Sequence, residues 1–138
     1  MFRKAKGTPY YKNRHSCFLL QYHLVLVTKD RHPVLQGYVK NVVYDTIKTI
    51  LEEKGFPLLE LNGEADHVHI LYEADPFTPP GELANIIKTK TSRFARKLYD
   101  NTLLKPYNGK PYFWSDSYFV ATVSEQSLTA VKAYIQNQ

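Results

Sequence analysis

The sequence predicts an α+β fold: one antiparallel sheet with two helices on one face and a further helix at the C-terminus. Two observations carry this. Apolar residues run continuously or alternate in some stretches and recur every three or four positions in others. The breaks between these stretches hold Gly, Pro and Asn-Gly pairs. The length of 138 residues suits a single domain that buries its core without disulfides.

Taken in order, Ser16 to Thr28 is almost unbroken apolar and aromatic sequence, closed by Lys29-Asp30-Arg31-His32-Pro33. This predicts a central strand. Val39, Val42, Val43, Ile47, Ile50 and Leu51 follow at helical spacing, and Gly55 stops that helix, expected over 38–54. Phe56 to Leu61 reads as a second strand and Val68 to Tyr72 as the core of a third. Asn62-Gly63 between them signals a hairpin turn. Pro76, Pro79, Pro80 and Gly81 then break the chain. A second helix over roughly 82–99 uses Leu83, Ile86, Ile87, Phe94 and Leu98 as its buried stripe. Beyond Pro106, Asn108-Gly109 and Pro111 comes a fourth strand, Tyr112 to Val123. Ser127 to Gln138 is a terminal helix with Ser124 or Ser127 as its N-cap. The order β-α-β-β-α-β is the ferredoxin-like split arrangement. The expected organisation is a basic tail over 1–14 and one domain over 15–138.

The net charge of +5 is unevenly placed. Residues 1–14 hold Arg3, Lys4, Lys6, Lys12 and Arg14 with no acid, so the rest of the chain is balanced. Within that remainder, 88–110 carry seven basic residues against Asp100 alone. Two concentrated basic zones suit a polyanion such as nucleic acid, and a solvated helix face is the plain alternative. Cys17, the single cysteine, forms no internal disulfide and is expected to be buried and inert. Met1 to Tyr11 lacks the apolar segment of a signal peptide, and the expected location is cytoplasmic.

The most informative segment is Ala65-Asp66-His67-Val68-His69-Ile70-Leu71. Strand alternation sends His67 and His69 to one face and Val68 to the other. Two imidazoles on one face are placed to share a metal ion, although His-x-His by itself is more often simply a polar strand face. Tyr134 and Gln138, four apart, stack on one side of the terminal helix. Together they offer a nucleophile and a neutral ligand, or simply an amphipathic end with Tyr134 on the sheet and Gln138 in water. A phenol, with a free pKa of about 10, needs activation to attack phosphorus. Two histidines and an amide do not select a metal sharply. Mg²⁺ or Mn²⁺ suits phosphate chemistry, and imidazole also accepts Zn²⁺. His23 in the first strand reads as a hydrogen-bonded core residue, and His15 and His32 as surface residues.

The chain also resembles the HUH single-tyrosine transposases, the TnpA-type enzymes that mobilise insertion sequences as single-stranded DNA. The resemblance covers about residues 15–138. It rests on Tyr22-His23-Leu24-Val25 with Thr28-Lys29, on Asp66-His67-Val68-His69, on Trp114-Ser115-Asp116-Ser117-Tyr118-Phe119-Val120 and on Tyr134-Ile135-Gln136-Asn137-Gln138. It implies that His67, His69 and Gln138 hold a divalent metal, that Tyr134 is the nucleophile, and that Asp66 supports the pair without being a ligand. It implies a homodimer in which the tyrosine helix of one subunit completes the histidine site of the other. It also implies cleavage of single-stranded DNA near imperfect hairpins, leaving a 5′-phosphotyrosine and a free 3′-hydroxyl. Family members often have glycine where this chain has Ser124, and they often run a little beyond the position of Gln138.

Lys88, Lys90, Arg93, Arg96 and Lys97 are the first candidates for phosphate contacts, with Lys29 and Arg31 next. Tyr10, Tyr11, Tyr107, Tyr112 and Trp114 are available for stacking on unpaired bases, with core packing the stronger reading for Trp114. Two other functions fit the same features. One is a domesticated nuclease of the same family acting on palindromic repeats. The other is a non-catalytic nucleic-acid-binding protein of ferredoxin-like fold.

Overall fold

A strand can be apolar on both sides only where both of its sides are covered. Leu20–Val27 (β4) meets that condition. Leu24 and Leu26 enter one core while Val25 and Val27 enter another, and all four are essentially inaccessible. The structure is a computed structural model and describes residues 3–98, 101–107 and 109–138.

Three two-residue strands precede β4: Arg3–Lys4 (β1), Tyr11–Lys12 (β2) and Cys17–Phe18 (β3). They pair antiparallel in the order β1-β2-β3. The single strand expected over Ser16 to Thr28 is therefore two strands that pair with different partners. Alternation within β3 buries Phe18 and turns Cys17 outward, so the cysteine is exposed rather than buried. The small sheet is tied to the large one by Tyr11, whose hydroxyl donates to Oε1 of the buried Glu73 at 2.5 Å. The Gln21 amide donates to the other oxygen of Glu73 at 2.8 Å.

The large sheet has the order β5-β6-β4-β7, built from β4, Leu58–Glu64 (β5), His67–Ala74 (β6) and Phe119–Thr122 (β7). Every pairing in it is antiparallel. Gly37–Lys54 (α1) and Pro80–Arg96 (α2) cover one face. Val39, Val43, Ile47, Ile50 and Leu51 form the buried side of α1, and each large apolar residue buried there contributes roughly 1.5–3 kcal/mol. Gly55, in the left-handed region at φ 74°, closes α1 by donating its N–H to the Leu51 and Glu52 carbonyls. This is the ferredoxin-like arrangement. Ser127–Gln136 (α3) lies on the opposite face, where Val131, Tyr134 and Ile135 pack with Val25, Val27 and Phe119. None of the described helices is long and apolar enough to cross a membrane.

Three local expectations are corrected. Asn62-Gly63 is not the hairpin turn, because both residues belong to β5 and pair with His69 and Val68. The turn is Ala65-Asp66. Gly63 serves instead as a point of close approach: a Cβ there would lie 2.3 Å from the His67 carbonyl oxygen. On α2, the buried residues are Leu83, Ala84, Ile87, Thr91 and Ala95, a strict four-residue ladder beside Ala84. Phe94 is 41% exposed, since the ladder passes one position to its side. The strand expected over Tyr112 to Val123 is regular only in β7. Trp114 turns into the core after one bridge to Thr28, and its indole N–H donates to Thr91 Oγ1 at 2.8 Å. At the start of α3, the N-cap position is Gln126 and makes no side-chain cap bond.

Two outcomes follow from this packing. Gly63→Ala must push against strand backbone at a φ of 153°, and should lower the unfolding free energy by about 1–3 kcal/mol in urea titration. The Tyr11 hydroxyl is raised to about 12 from 10.0, by burial first and then by its bond to Glu73 and that residue's charge. Because the folded value is the higher one, this contribution to docking is complete below pH 10 and is lost as pH rises through about 12. Limited proteolysis of the N-terminal strands should accelerate in that window, and Tyr11→Phe should remove the pH dependence.

Candidate active site

Antiparallel register decides which side chains meet on the α3 face. His67 lies opposite Val27 and His69 opposite Val25 on β4. On the other side of β6, His67 faces Glu64 and His69 faces Asn62. Val25 and Val27 point toward α3, so the two histidines share the face on which α3 lies. Both are buried, at 9% and 8% exposure.

The two rings have different surroundings. His67 Nδ1 is 2.8 Å from Asp66 Oδ1, and the Arg31 Nε–H donates to Asp66 Oδ2 at 3.0 Å. The carboxylate accepts a hydrogen bond from Nδ1–H, which leaves Nε2 of His67 available for a ligand. Burial alone would raise the Asp66 carboxyl. The hydrogen bonds from His67 and Arg31, with their charges, outweigh it and hold the group below the ordinary carboxylate range. Arg31 is presented by a single 3-10 turn, Lys29–Arg31, in which Asp30 and Arg31 both take positive φ. The Thr28 hydroxyl braces that turn by donating to the carbonyls of His32 and Asp66.

His69 is turned the other way. Its Nε2 lies 2.6 Å from Nδ1 of His23, and the two rings stack with centroids 4.9 Å apart. Burial, then the neighbouring His23, pull its imidazole below the ordinary value against the pull of Glu60, so the ring is neutral near pH 7. His23 is the buried, hydrogen-bonded residue that its sequence context predicts. Among the described residues, the group best disposed for a cation is Glu64, Asp66 and His67, with ligand atoms within 4.8 Å of one another. Glu64 escaped the sequence reading because its position opposite His67 depends on a turn at Ala65-Asp66.

Tyr134 stands over β7. Its ring packs on Phe119 with centroids 5.3 Å apart, and its hydroxyl is 2.6 Å from Ser117 Oγ. β6 and β7 flank β4, so the histidines and Phe119 are two strand spacings apart, roughly 10 Å. No hydrogen bond joins Tyr134 or Gln138 to either histidine of this chain among the described residues. The Gln138 amide donates back to the Tyr134 carbonyl at 3.1 Å. Gln138 also lines a groove of about 320 Å³ with Val27, Arg31, Ser115 and Ser117, next to the turn that holds Asp66.

The basic candidates divide. Lys88 is half-buried, donates to the Ser115 carbonyl at 2.8 Å, and is pulled below its ordinary value by burial, with Asp116 opposing. Arg96 lines a groove of about 310 Å³ with Lys88, Ser92 and Trp114. Lys90 and Arg93 face Asp45 and Glu53 across the α1–α2 groove. Lys97 sits over Phe94 and Lys29 over Tyr112. Of the aromatic candidates, Tyr10 and Tyr112 are exposed, whereas Trp114 and Tyr107 are buried, as packing predicts for Trp114. Tyr107 is used up in the core, donating to the Lys29 and Phe113 carbonyls.

The fold puts two buried histidines and a tyrosine-bearing helix on one face of a ferredoxin-like sheet, and sequence comparison gives the family. Residues 16–138 match the family model for IS200-like transposases, and the chain belongs to that family. It is 30% identical over 127 residues to the ISDra2 transposase TnpA of Deinococcus radiodurans, spanning 92% of this chain and 89% of that one. It is 27% identical over 124 residues to the transposase for insertion sequence element IS200 of Salmonella typhimurium, covering 90% and 80% respectively. A crystal structure from Deinococcus radiodurans R1, described as a transposase, superimposes with a TM-score of 0.82 at 31% identity, covering 92% of this chain and 96% of that one. A REP-associated tyrosine transposase bound to a REP hairpin shares the fold alone, at 9% identity and a TM-score of 0.58, over 88% of this chain and 67% of that one. The chain is thus a DNA-binding transposase of the IS200-like family, and its fold is that of the solved relative.

Proposed function

We propose that this transposase cuts and rejoins single-stranded DNA through Tyr134, with His67, His69 and Gln138 as ligands of a catalytic Mg²⁺ or Mn²⁺. The observation that carries the reading is the shared face. The histidine pair and the tyrosine helix lie on the side of the sheet that α1 and α2 leave free. The donors suit the metal: His67, whose Nδ1 faces Asp66 and leaves Nε2 on the other side of the ring, His69 and the amide of Gln138, beside the carboxylates of Asp66 and Glu64. When bound, the ion supplies charge stabilisation on the non-bridging phosphate oxygens.

The chain's own residues do the rest. The Tyr134 oxygen attacks phosphorus, the phosphorus–3′-oxygen bond breaks, and the products are a 5′-phosphotyrosine and a 3′-hydroxyl. A second 3′-hydroxyl attacks the phosphotyrosine, reforms a phosphodiester and returns Tyr134 to its phenol form. Asp66, itself held by Arg31, fixes the ring of His67 and keeps Nε2 aimed outward. Ser117 accepts or donates at the tyrosine hydroxyl and sets its resting position.

The working unit in this reading is a homodimer, with α3 of one subunit serving the histidines of the other. It is supported by the separation of Tyr134 from the histidines of its own chain and by the position of β7 at the edge of the sheet. The DNA partner is single-stranded DNA with hairpin ends. Lys90, Arg93, Arg96, Lys97 and Lys29 contact its phosphates, while Lys88 and Arg31 act partly by bracing the site. Residues 15–138 form the catalytic domain and the basic segment 1–14 adds to DNA affinity.

The deciding experiment mixes the protein with labelled single-stranded oligonucleotides from the ends of its own element plus Mn²⁺, and then denatures it. A protein–DNA adduct that survives the denaturant is expected. Tyr134→Phe should abolish it and His67→Ala should reduce it at least a hundredfold. An adduct on Tyr134→Phe would assign the nucleophile elsewhere. Asp66→Asn should weaken Mn²⁺ binding by about 10- to 100-fold in calorimetry while the melting curve stays two-state.

A further inference from the structure

A chain of hydrogen bonds runs from His69 to the first turn of α3. Ser127 is buried at the start of the helix. Its hydroxyl lies 2.8 Å from the Ser124 carbonyl, to which it donates its one proton. The Ser127 oxygen also lies 3.1 Å from His23 Nε2 and therefore accepts that N–H. With its Nε2–H given to Ser127, His23 offers the Nδ1 lone pair, and the 2.6 Å contact makes Nε2–H of His69 the donor to it. Each proton in the chain is thereby assigned, and Nε2 of His69 carries a hydrogen directed at His23.

We infer that His23 is a positioning residue that sets metal capture by His69 Nε2 against docking of the first turn of α3. The inference rests on the reading of His67 and His69 as metal ligands. Nε2 of His69 cannot hold a hydrogen toward His23 and a lone pair toward a metal at once. Holding a metal at Nε2 would require the His69 ring to carry its proton on Nδ1 instead. His23 then loses its donor, and with it the tie that orients His23 toward Ser127. Nothing in the composition or spacing separates this role from that of an ordinary core histidine. His23 and Ser127 are 104 residues apart, and only the packing of α3 over β4 brings them together. The coupling is reciprocal: whatever frees α3 favours the metal by the same factor.

Two readouts that do not require DNA cleavage test this: Mn²⁺ affinity by calorimetry, and amide exchange over residues 127–131 by mass spectrometry, both on the full chain. Mn²⁺ should speed exchange at the start of α3 in the unsubstituted protein. His23→Phe keeps an aromatic ring at this position and removes both nitrogens. It should bind Mn²⁺ roughly three- to tenfold more tightly, in line with one buried hydrogen bond no longer broken, and its α3 exchange should be fast with or without metal. Ser127→Ala should speed α3 exchange in the apo protein, abolish its response to Mn²⁺ and tighten Mn²⁺ binding in the same direction as His23→Phe, by no more than the factor seen there. Unchanged affinity in His23→Phe, or α3 exchange in the unsubstituted protein that is slowed or unmoved by Mn²⁺, would overturn the coupling while leaving the metal site intact. If His67→Ala binds Mn²⁺ as the unsubstituted chain does, the ion is not at the histidines, and both this inference and the reading beneath it fall.

Discussion

The register between β4 and β6 is the constraint on which the rest depends. It sets Val27 against His67 and Val25 against His69, with Leu26 against Val68 and Leu24 against Ile70 on the other side. A slip of one residue would drive both imidazoles into the core formed with α1 and α2 and expose Val68 and Ile70 to the opposite face. The apolar residues thus enforce the position of the polar ones. That is why a pair of buried histidines is tolerated beside Val25 and Val27 in the middle of the sheet. Gly63 contributes to the same result from the other edge, since the close approach of β5 to the His67 carbonyl admits no side chain.

Covering the second face with α3 creates a different kind of core, small and partly polar. Val25, Val27 and Val131 supply its apolar part, and Phe119, Tyr134 and Ile135 close it at the margin. Both ends of α3 are held by polar contacts as well, Ser127 to His23 and Tyr134 to Ser117. A helix fixed by three valines and two hydrogen bonds is far less secured than α1, which buries five large aliphatic residues. The element that carries the proposed nucleophile is therefore the most weakly attached helix in the fold.

Charge in this protein serves structure before it serves binding. Arg31 is spent on Asp66, and Lys88 on a backbone carbonyl of the loop that leads to Ser117. Both brace segments that flank the histidines and the tyrosine. Lys90, Arg93 and Lys97 remain on the outer surface of α2, on the face of the sheet away from the histidines. Phosphate contacts made there would anchor DNA at a distance from the site of reaction.

Apolar period and chain order by themselves determined the order of the main strands and helices, the ferredoxin-like arrangement and the common face of His67 and His69, but not the small sheet formed by the three short strands before β4. These follow from local rules: alternation in a strand, 3.6-residue repetition in a helix, and a short reach between paired segments. The same rules failed where a long-range contact outweighed the local signal. Asn62-Gly63 resembles a turn, but pairing with β6 keeps it extended. Phe94 looks like a core residue, yet the small side chains of Thr91 and Ala95 let α2 approach the sheet along a different line. Tyr112 to Tyr118 has strand composition, but the indole of Trp114 found Thr91 and pulled the backbone off the sheet. The site divides in the same way. Tyr134 and Gln138 were readable as one helix face, and Asp66 as the neighbour of His67. Which face of the sheet that helix covers, the selection of His23 as the partner of His69, and the meeting of Tyr134 with Ser117 were decided by tertiary packing alone. Those contacts join residues far apart in the chain, and no local period encodes them.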